Sequence, residues 1–595
     1  MNQLNKEQIA AVQAIKGPAV VISGAGTGKS TVIAAKIAYL QETARPHGIL
    51  AISFTKKAVA DLKLRLANDR GVTVCTFHSF FYRILRNNGY RSFTFLNDSD
   101  RKAIIKNAIK KAELTEKLTP ETVIEALAKG EYKGDAAKAV AVYMDFLKEL
   151  RLLDFDVLQY FCQELLEANT AVVKAVRSSY EHVLIDEGQD ISKIQLSIIK
   201  KLWPKTANLT VVGDPRQSIY SFRGSYGTVM DDIISHYKPQ IFNLTTNYRC
   251  DPSILSLANK VLPDGAQLKA DKKANGCNPV FYMAKTAKDE AKSVADTIKG
   301  MYANGKKLND IAILYRSIPA VTVVCKQLLS SSIPFVKVGA SCDVWVHNPY
   351  KQVLAALNYV QDMDNAKALK YCAQLLSIPE DVIEEVEESK LQYPEMPLTD
   401  ILVSMPMLPQ STKDKVLSLK ASAHNIKNAP LRDAVIGVWS LVVKSYLKAD
   451  DDLLEQIFTE IEDYQSFDEL KMAIINIRKQ YKAMEKLIAS KTADFVRVMS
   501  IHSAKGLEWE NVFLVGCTDG ILPDTSHEGV DIAEENRLAY VAVTRAKEKL
   551  IISYQQENSK SKEPNKPSRF FQDGFNFGQN KMAATMVAEA KETIL

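Results

Sequence analysis

Ten short apolar runs constrain this chain more than any other feature of it. "PAVVIS", "GILAIS", "EHVLID" and "NLTVVG" form a first cluster; "PVFYM", "IAILY", "PFVKV", "FVRVMS", "NVFLVG" and "KLIISY" form a second. These runs can be buried on both faces, as strands of a parallel sheet are. In the first cluster each is followed by a polar or glycine-bearing turn and then by helical patterning, the signature of a sheet wound with helices. The expected fold class is α/β, with two parallel-sheet lobes.

Each cluster is interrupted by a stretch of different character. Residues from about 90 to 178 read as helices, with "DRKAIIKNAIKKAEL" and "AAKAVAVYMDFLKELRLL" carrying apolar residues at helical spacing. Residues from about 363 to 488 do the same in "DELKMAIINIRKQYKAMEKLIA". The expected organisation is a first lobe over 1–90 and 179–245 with a helical insertion at 91–178. A second lobe follows over 246–362 and 489–577, with an insertion at 363–488 and a tail at 578–595. Beyond Tyr554 the chain turns polar and proline-bearing ("QQENSKSKEPNKPS"), which predicts a poorly ordered end.

Composition narrows the class. With 595 residues, 46% of them hydrophobic, the chain can bury several cores. Its eight cysteines include no C-x-x-C pair, which argues against a zinc ribbon, an iron–sulfur cluster or a disulfide framework. There is no run of ~18 apolar residues, and "MNQLNKEQIA" is too polar for a signal peptide. The expectation is a soluble, cytoplasmic protein with no membrane partner. A net charge of +6, from 76 basic and 70 acidic residues, permits nucleic-acid binding without arguing for it.

The chemistry begins at "VVISGAGTGKST", Val20 to Thr31. A strand runs into a glycine-rich turn and then into a helix starting near Lys29. Gly24, Gly26 and Gly28, with Ala25 and Thr27 between them, let backbone amides turn inward on phosphates. The helix N-terminus adds positive potential. Lys29 would reach the β- and γ-phosphates and Ser30 would offer its hydroxyl to Mg²⁺, followed by Thr31. Ser23 stands where the pattern has its first glycine. At "HVLIDEGQD" a second buried strand ends in Asp186 and Glu187, at the carboxyl edge where such sheets bind ligands. Asp186 suits Mg²⁺ coordination and Glu187 suits polarising an attacking water. Together the two segments read as a site hydrolysing ATP or GTP.

Further motifs follow in a fixed order: "LNKEQIAAV", "ISFTKKA", "TFHSF", "DEGQD", "VGDPRQSIYSFRG", "LTTNYRCDPSIL", "IHSAKGLEWENVFLVG", "AEENRLAYVAVTRA" and "PSRFF". In this order they resemble the UvrD/Rep/PcrA family of superfamily-one DNA helicases. The resemblance covers both α/β lobes and only loosely the helical insertions. It implies two RecA-like lobes, ATP and Mg²⁺ as cofactors, and movement along single-stranded DNA in the 3′→5′ direction. It assigns Gln8 to the adenine edge, Tyr248 to adenine stacking and Glu508 to the ribose or phosphates. It makes Gln217 a link between nucleotide and DNA track. Arg249 and Arg545 become second-lobe arginines that reach the γ-phosphate when the lobes close, an arrangement worth ~10³–10⁵ in rate.

Single strands are held by aromatic faces in a basic groove. The candidates are Phe54, Phe77, His78, Tyr220, Phe222 and Arg223, with His502 and Lys505 as backbone contacts. Phe222 replaces a tryptophan common at that family position, and Thr31 an arginine found after the phosphate-loop Ser/Thr. "VWVHNPYKQVL" departs from the usual charged entry to the second insertion. The expected partners are single-stranded DNA and its junctions with duplex, bound by a monomer. A protein partner, whether a nuclease or a repair or replication factor, is left open. So are a pure protein-displacing translocase and, against the full set of motif residues, a non-catalytic scaffold.

Overall fold

The computed structural model describes residues 4–66, 69–130, 132–221, 224–225, 227–263, 267–339, 343–447, 451–488, 493–525, 530–558 and 563–577. The first sheet has six strands: β1 (Ala19–Ser23), β2 (Ile49–Ser53), β3 (Val72–Thr76), β4 (His182–Ile185), β5 (Asn208–Gly213) and β6 (Gln240–Leu244). They lie in the order β3-β2-β4-β5-β1-β6 and pair in parallel. The four inner strands are the four apolar runs of the first cluster. The two outer ones, "VTVCT" and "QIFNL", are partly exposed and partly polar, so they escape a pattern tuned to buried runs.

The second sheet is built from β7 (Val280–Ala284), β8 (Ile311–Tyr315), β9 (Phe335–Val338), β10 (Val496–Ser500), β11 (Trp509–Val515) and β12 (Ala546–Gln555). Its order is β7-β12-β11-β8-β10-β9, again with parallel pairing. All six are runs of the second cluster, and the expected α/β class with two parallel sheets is what the chain adopts.

The chain forms two compact units, Met1–Pro279 with Ala504–Glu510 and His527–Leu550, and Val280–Ser503 with Asn511–Ser526 and Ile551–Leu595. This differs from the expected boundaries, which began the second lobe at 246 and gave it 246–362 and 489–577. Local bonding explains the difference. Thr245 donates through its amide and hydroxyl to Glu7, and Tyr248 N donates to Gly26 O at 2.9 Å. Thr246–Asn247 pairs with Lys269–Ala270 as a small ladder. These bonds tie residues 245–270 to the first sheet's own loops.

The helical stretch after residue 90 shares its core with the first sheet. Ile105, Leu127, Val140 and Phe161 belong to one continuous apolar cluster with Leu50, Ile52, Ile185 and Val211 of the strands. A buried network fastens it: Tyr143 donates to Asp154 at 2.6 Å, and Arg101 pairs with Asp154 at 3.1 Å and Asp156 at 2.6 Å. The second helical stretch has a core of its own. That core opens at Val344 and Trp345, takes in Val353, Leu357 and Tyr359, and runs to Ile474. It therefore starts upstream of residue 363, because the helix Tyr350–Gln361 turns its apolar face into it.

Beyond Tyr554, the described residues 563–577 are tied to the second unit. Ser568 N donates to Cys517 O at 2.7 Å, Phe571 is buried, and Phe575 packs edge-on against Phe281 and Tyr554. Residues 578–595, the expected tail, lie outside the described residues. Among the described residues no helix is long and apolar enough to cross a membrane.

One buried lysine sets how the N-terminal helix meets the phosphate loop. α1 (Lys6–Gln13) starts with a capping box in which Asn5 and Gln8 bond reciprocally. Its other end leaves carbonyls without helical partners. Lys36, from α2 (Lys29–Thr43), donates Nζ to Ala11 O at 2.9 Å and to Ala14 O. Burial pulls this ammonium down to about 8. Between that pH and the ordinary lysine range the unfolded chain therefore holds more protons than the folded one, and stability from this site rises with pH. Lys36→Met should destabilise the first unit by about 1–3 kcal/mol at neutral pH by stranding two carbonyls. Its deficit in urea-unfolding midpoint should widen as pH is raised from about 8 towards 10. A deficit constant with pH would show that Lys36 titrates normally.

Candidate active site

The turn between β1 and α2 is a backbone cradle. Gly26 (φ +68) and Gly28 (φ +86) sit in the left-handed region. A Cβ on Gly26 would lie 2.6 Å from Arg249 Cβ and 2.7 Å from Asn247 Nδ2, and one on Gly28 would lie 2.8 Å from Gln8 Nε2. Neither position tolerates a side chain. Asn247, which sequence reasoning passed over, holds the turn. Its Nδ2 donates to Ala25 O at 2.6 Å, while its Oδ1 accepts from Arg249 N at 2.9 Å and Cys250 N at 2.8 Å.

Gln8 is buried against this turn. Its Nε2 donates to Thr27 O at 3.0 Å and its Oε1 accepts from Asn5 N at 3.0 Å. One amide N–H and one oxygen lone pair remain for a ligand. Tyr248 is 37% exposed, and its hydroxyl accepts from Asn5 Nδ2 at 2.8 Å, so the ring is both oriented and open. Thr31 is exposed on the first turn of α2 and lines a groove of about 560 Å³ with Ala34, Ala35 and Ala38.

Asp186 and Glu187 follow β4. Glu187 has φ +54, a left-handed conformation costly for a residue with a side chain and characteristic of functional turns. Burial, and then the charge of Glu187, raise the Asp186 carboxyl well above the usual range, against the pull of Lys29. Burial opposes ionisation of Glu187 too, but Lys29 and Lys505 hold it below its ordinary value. Glu187 accepts from Gln189 Nε2 at 2.6 Å, and Gln189 Oε1 accepts from Asp214 N at 2.8 Å. A hydroxyl on Ser30 and the Asp186 carboxylate are hard oxygen donors, the set a Mg²⁺ ion takes alongside phosphate oxygens. The residues present therefore fit a magnesium–nucleotide complex.

Two arginines complete the group. Both fall within the first compact unit, where α4 (Ile532–Val543) packs on α3 (Pro252–Val261) and on the turn Pro215–Gln217, and Arg545 directly precedes β12 of the second sheet. Arg545 is fully buried. It donates from Nε to Val541 O at 2.9 Å, from Nη1 to Leu507 O at 3.1 Å, and from Nη2 to Gln217 Oε1 at 3.3 Å. Burial, with Arg249 beside it, draws its guanidinium down to about 10. Gln217 in turn donates to Asp214 Oδ2 at 2.6 Å. Arg249 bonds Glu508 at 2.6 Å and Thr544 O at 3.2 Å. Glu508 also pairs with Lys547 at 3.2 Å, so it is occupied by two cations here.

The expected nucleic-acid contacts divide. Phe77 is only 3% exposed: it opens the apolar face of the helix Phe77–Asn87, capped by Thr76, and packs on Phe81. It is a core residue, not a stacking platform. Phe54 and Tyr220 stack on each other at 5.5 Å, both half-buried. His78 meets the edge of Phe155, which sequence reasoning missed. Phe155 is 58% exposed and stacks on Phe95 at 5.0 Å, an aromatic face offered to solvent. No periodicity would single it out; the only signal was an aromatic in a polar turn. His502 belongs to the second unit, just past β10 at the carboxyl end of that sheet. Phe222 and Arg223 lie outside the described residues.

Lys505 departs most from expectation. Its ammonium donates to both oxygens of Asp190, at 2.7 and 2.6 Å, and to Gln217 O at 2.6 Å. Side-chain exposure is 5% for Lys505 and 1% for Asp190. All three N–H bonds are spent inside the protein, so no phosphate can bind there without breaking them.

Residues 4–238 match the UvrD/REP helicase N-terminal domain, and residues 242–430 and 444–557 the UvrD-like helicase C-terminal domain. The chain is similar to the ATP-dependent DNA helicase PcrA of Staphylococcus aureus strain Mu50, with 30% identity across 96% of this chain and 86% of that protein. The protein of the same name from Staphylococcus epidermidis is 28% identical over the same shares. With both helicase domains matched over most of its length and the phosphate loop, acidic pair and arginines gathered in one unit, the chain belongs to the UvrD/REP family of helicases.

Proposed function

We propose that this chain is an ATP-dependent DNA helicase that moves 3′→5′ along single-stranded DNA, coupling hydrolysis to closure of its two sheet lobes. The observation that carries the reading is the gathering of Lys29, Asp186, Glu187, Gln217, Arg249 and Arg545 around one glycine cradle, beside open aromatic faces. Lys29 would neutralise the β- and γ-phosphates, and Ser30 with Asp186 would hold Mg²⁺. Glu187, kept ionised by Lys29, is suited to accept a proton from the attacking water. The free donor and acceptor on Gln8 match the N7 and amino group of adenine, with Tyr248 on one face of the base and Thr31 leaving the other open. On the nucleic-acid side, Phe155 with His78 and the Phe54–Tyr220 pair offer the stacking surface that single strands require.

The deciding experiment is strand displacement on 3′-tailed and 5′-tailed duplexes with ATP and Mg²⁺, comparing the parent with Lys29→Ala. The parent should displace only from the 3′ tail, whereas the variant should bind single strands without hydrolysing ATP. Displacement from the 5′ tail would reverse the polarity, and stripping of bound protein without strand separation would make the chain a pure translocase.

Arg545→Ala should lower kcat by ~10³ or more with a much smaller change in KM, since its charge serves the transition state. Equal losses in both would give it a ground-state role. Phe155→Ala should weaken single-stranded DNA binding by ~1–3 kcal/mol and leave DNA-free hydrolysis unchanged, because the ring packs on His78 and Phe95 and has no part in the bonds that build the glycine cradle. An unaltered DNA affinity in the folded variant would remove Phe155 from the track.

A further inference from the structure

Lys505 sits where four motifs meet. Asp190 comes from the turn that begins with Glu187, and Gln217 from the turn whose side chain bonds Arg545. The ring of Tyr220 lies against the same ammonium, 4.7 Å from Nζ to the ring centroid. That ring stacks on Phe54 with an interplanar angle of 15°. Thus one cation touches two turns that serve the nucleotide and one ring of the aromatic pair. The segment 504–510 that carries it continues at one end into the turn after β10 and at the other into β11, both strands of the second sheet.

The geometry is that of a latch. An ammonium with its three N–H bonds spent on fixed acceptors has one stable position, and that position fixes its neighbours. A shift of the Glu187–Asp190 turn moves a carboxylate that Lys505 must follow, since a buried charge without its partner is strongly disfavoured. Any movement of Lys505 also changes what lies against Tyr220. The cation–π contact weakens steeply as the cation leaves the ring face, so the orientation of the aromatic pair depends on the state of the acidic turn.

We propose that Lys505 is a positioning residue that couples nucleotide hydrolysis to the Phe54–Tyr220 pair through its buried bonds to Asp190 and Gln217, and that it does not contact DNA. This rests on the reading of the chain as a DNA-stimulated ATPase. Lys505 touches neither phosphate nor base; it transmits the state of one site to the other, and in the reverse direction lets a strand stacked on the pair alter the acidic turn.

The test uses the full-length protein with ATP and Mg²⁺, and oligo-dT as the single strand. Hydrolysis is measured with and without saturating oligo-dT, and oligo-dT affinity at two salt concentrations. Lys505→Met and Asp190→Asn should each lower the ratio of DNA-stimulated to DNA-free hydrolysis by about tenfold or more, the scale of a typical coupling between sites. Affinity for oligo-dT should stay within a factor of about three, as for changes away from a contact, and its salt dependence should match the parent's. A lower affinity with a salt slope shallower by about one would make Lys505 a phosphate contact and overturn the proposal.

A folded variant with the parent's stimulation ratio would also overturn it. Where Lys505→Met fails to fold because Asp190 is left unpaired, the double variant Lys505→Met with Asp190→Asn removes both charges. It should fold and remain uncoupled; a double variant with restored stimulation would show that Lys505 merely balances a buried carboxylate. A parent protein that oligo-dT does not stimulate would instead defeat the functional reading beneath the proposal, and the proposal with it.

Discussion

The side-chain amide of Asn247 is the constraint on which the candidate site depends. It is wholly buried, and each end of it is used: one holds the carbonyl of Ala25 in the glycine turn, the other the amides of Arg249 and Cys250. An aspartate could not donate to Ala25, and a leucine of similar size would strand three backbone groups in a dry interior. Through this single side chain the phosphate loop, the open ring of Tyr248 and the guanidinium of Arg249 are held in one register. The close approach leaves no room for a Cβ on Gly26, so the glycine and the asparagine are requirements of the same contact.

Around that scaffold the charges are arranged in a low-dielectric interior. Asp186, Glu187 and Asp190 lie within a few residues of one another, and all are buried or nearly so. Alone they could not all ionise, since burial and mutual repulsion both raise their proton affinity. Burial drives the Asp190 carboxyl up to about 6 even with Lys505 pulling the other way. Lys29, Lys505 and Arg545 provide the compensating field. The acidic turn is thus a group whose charge state depends on cations carried by distant parts of the chain.

The sequence made much of this legible, for identifiable reasons. The inner strands of both sheets are short, apolar and largely buried, a pattern readable without a structure, and the second sheet's edges β7 and β9, though partly exposed, stay apolar enough to show it too. The first sheet's edge strands "VTVCT" and "QIFNL" do not, because an edge is allowed polarity and exposure. The phosphate loop is legible because only glycines make its backbone. By contrast, Phe77 and Phe155 look alike as letters, yet one begins a buried helical face and the other projects from a turn. The motif "IHSAKG" marks Lys505 as a backbone contact by resemblance, whereas its partners Asp190 and Gln217 lie 315 and 288 positions away in sequence. Asn247 stands inside the motif "LTTNYRCDPSIL" beside Tyr248 and Arg249, but its role shows only in three hydrogen bonds.

The shared core of the first sheet and its helical stretch has a consequence for how the molecule opens. Because Ile105, Leu127 and Phe161 are packed in the same cluster as strands β2, β4 and β5, these helices cannot melt without exposing the apolar face of the sheet that carries the glycine turn. Local opening of the one is largely opening of the other, a single cooperative unit in hydrogen exchange. A ligand bound at the turn stabilises only the closed form and so slows exchange by mass action throughout that unit. Amides of the helices Pro120–Lys129 and Gly134–Glu149, remote from the phosphate loop in sequence, thereby become reporters of its occupancy. The bundle centred on Tyr359 and Trp439, with a core of its own, exchanges on a separate clock.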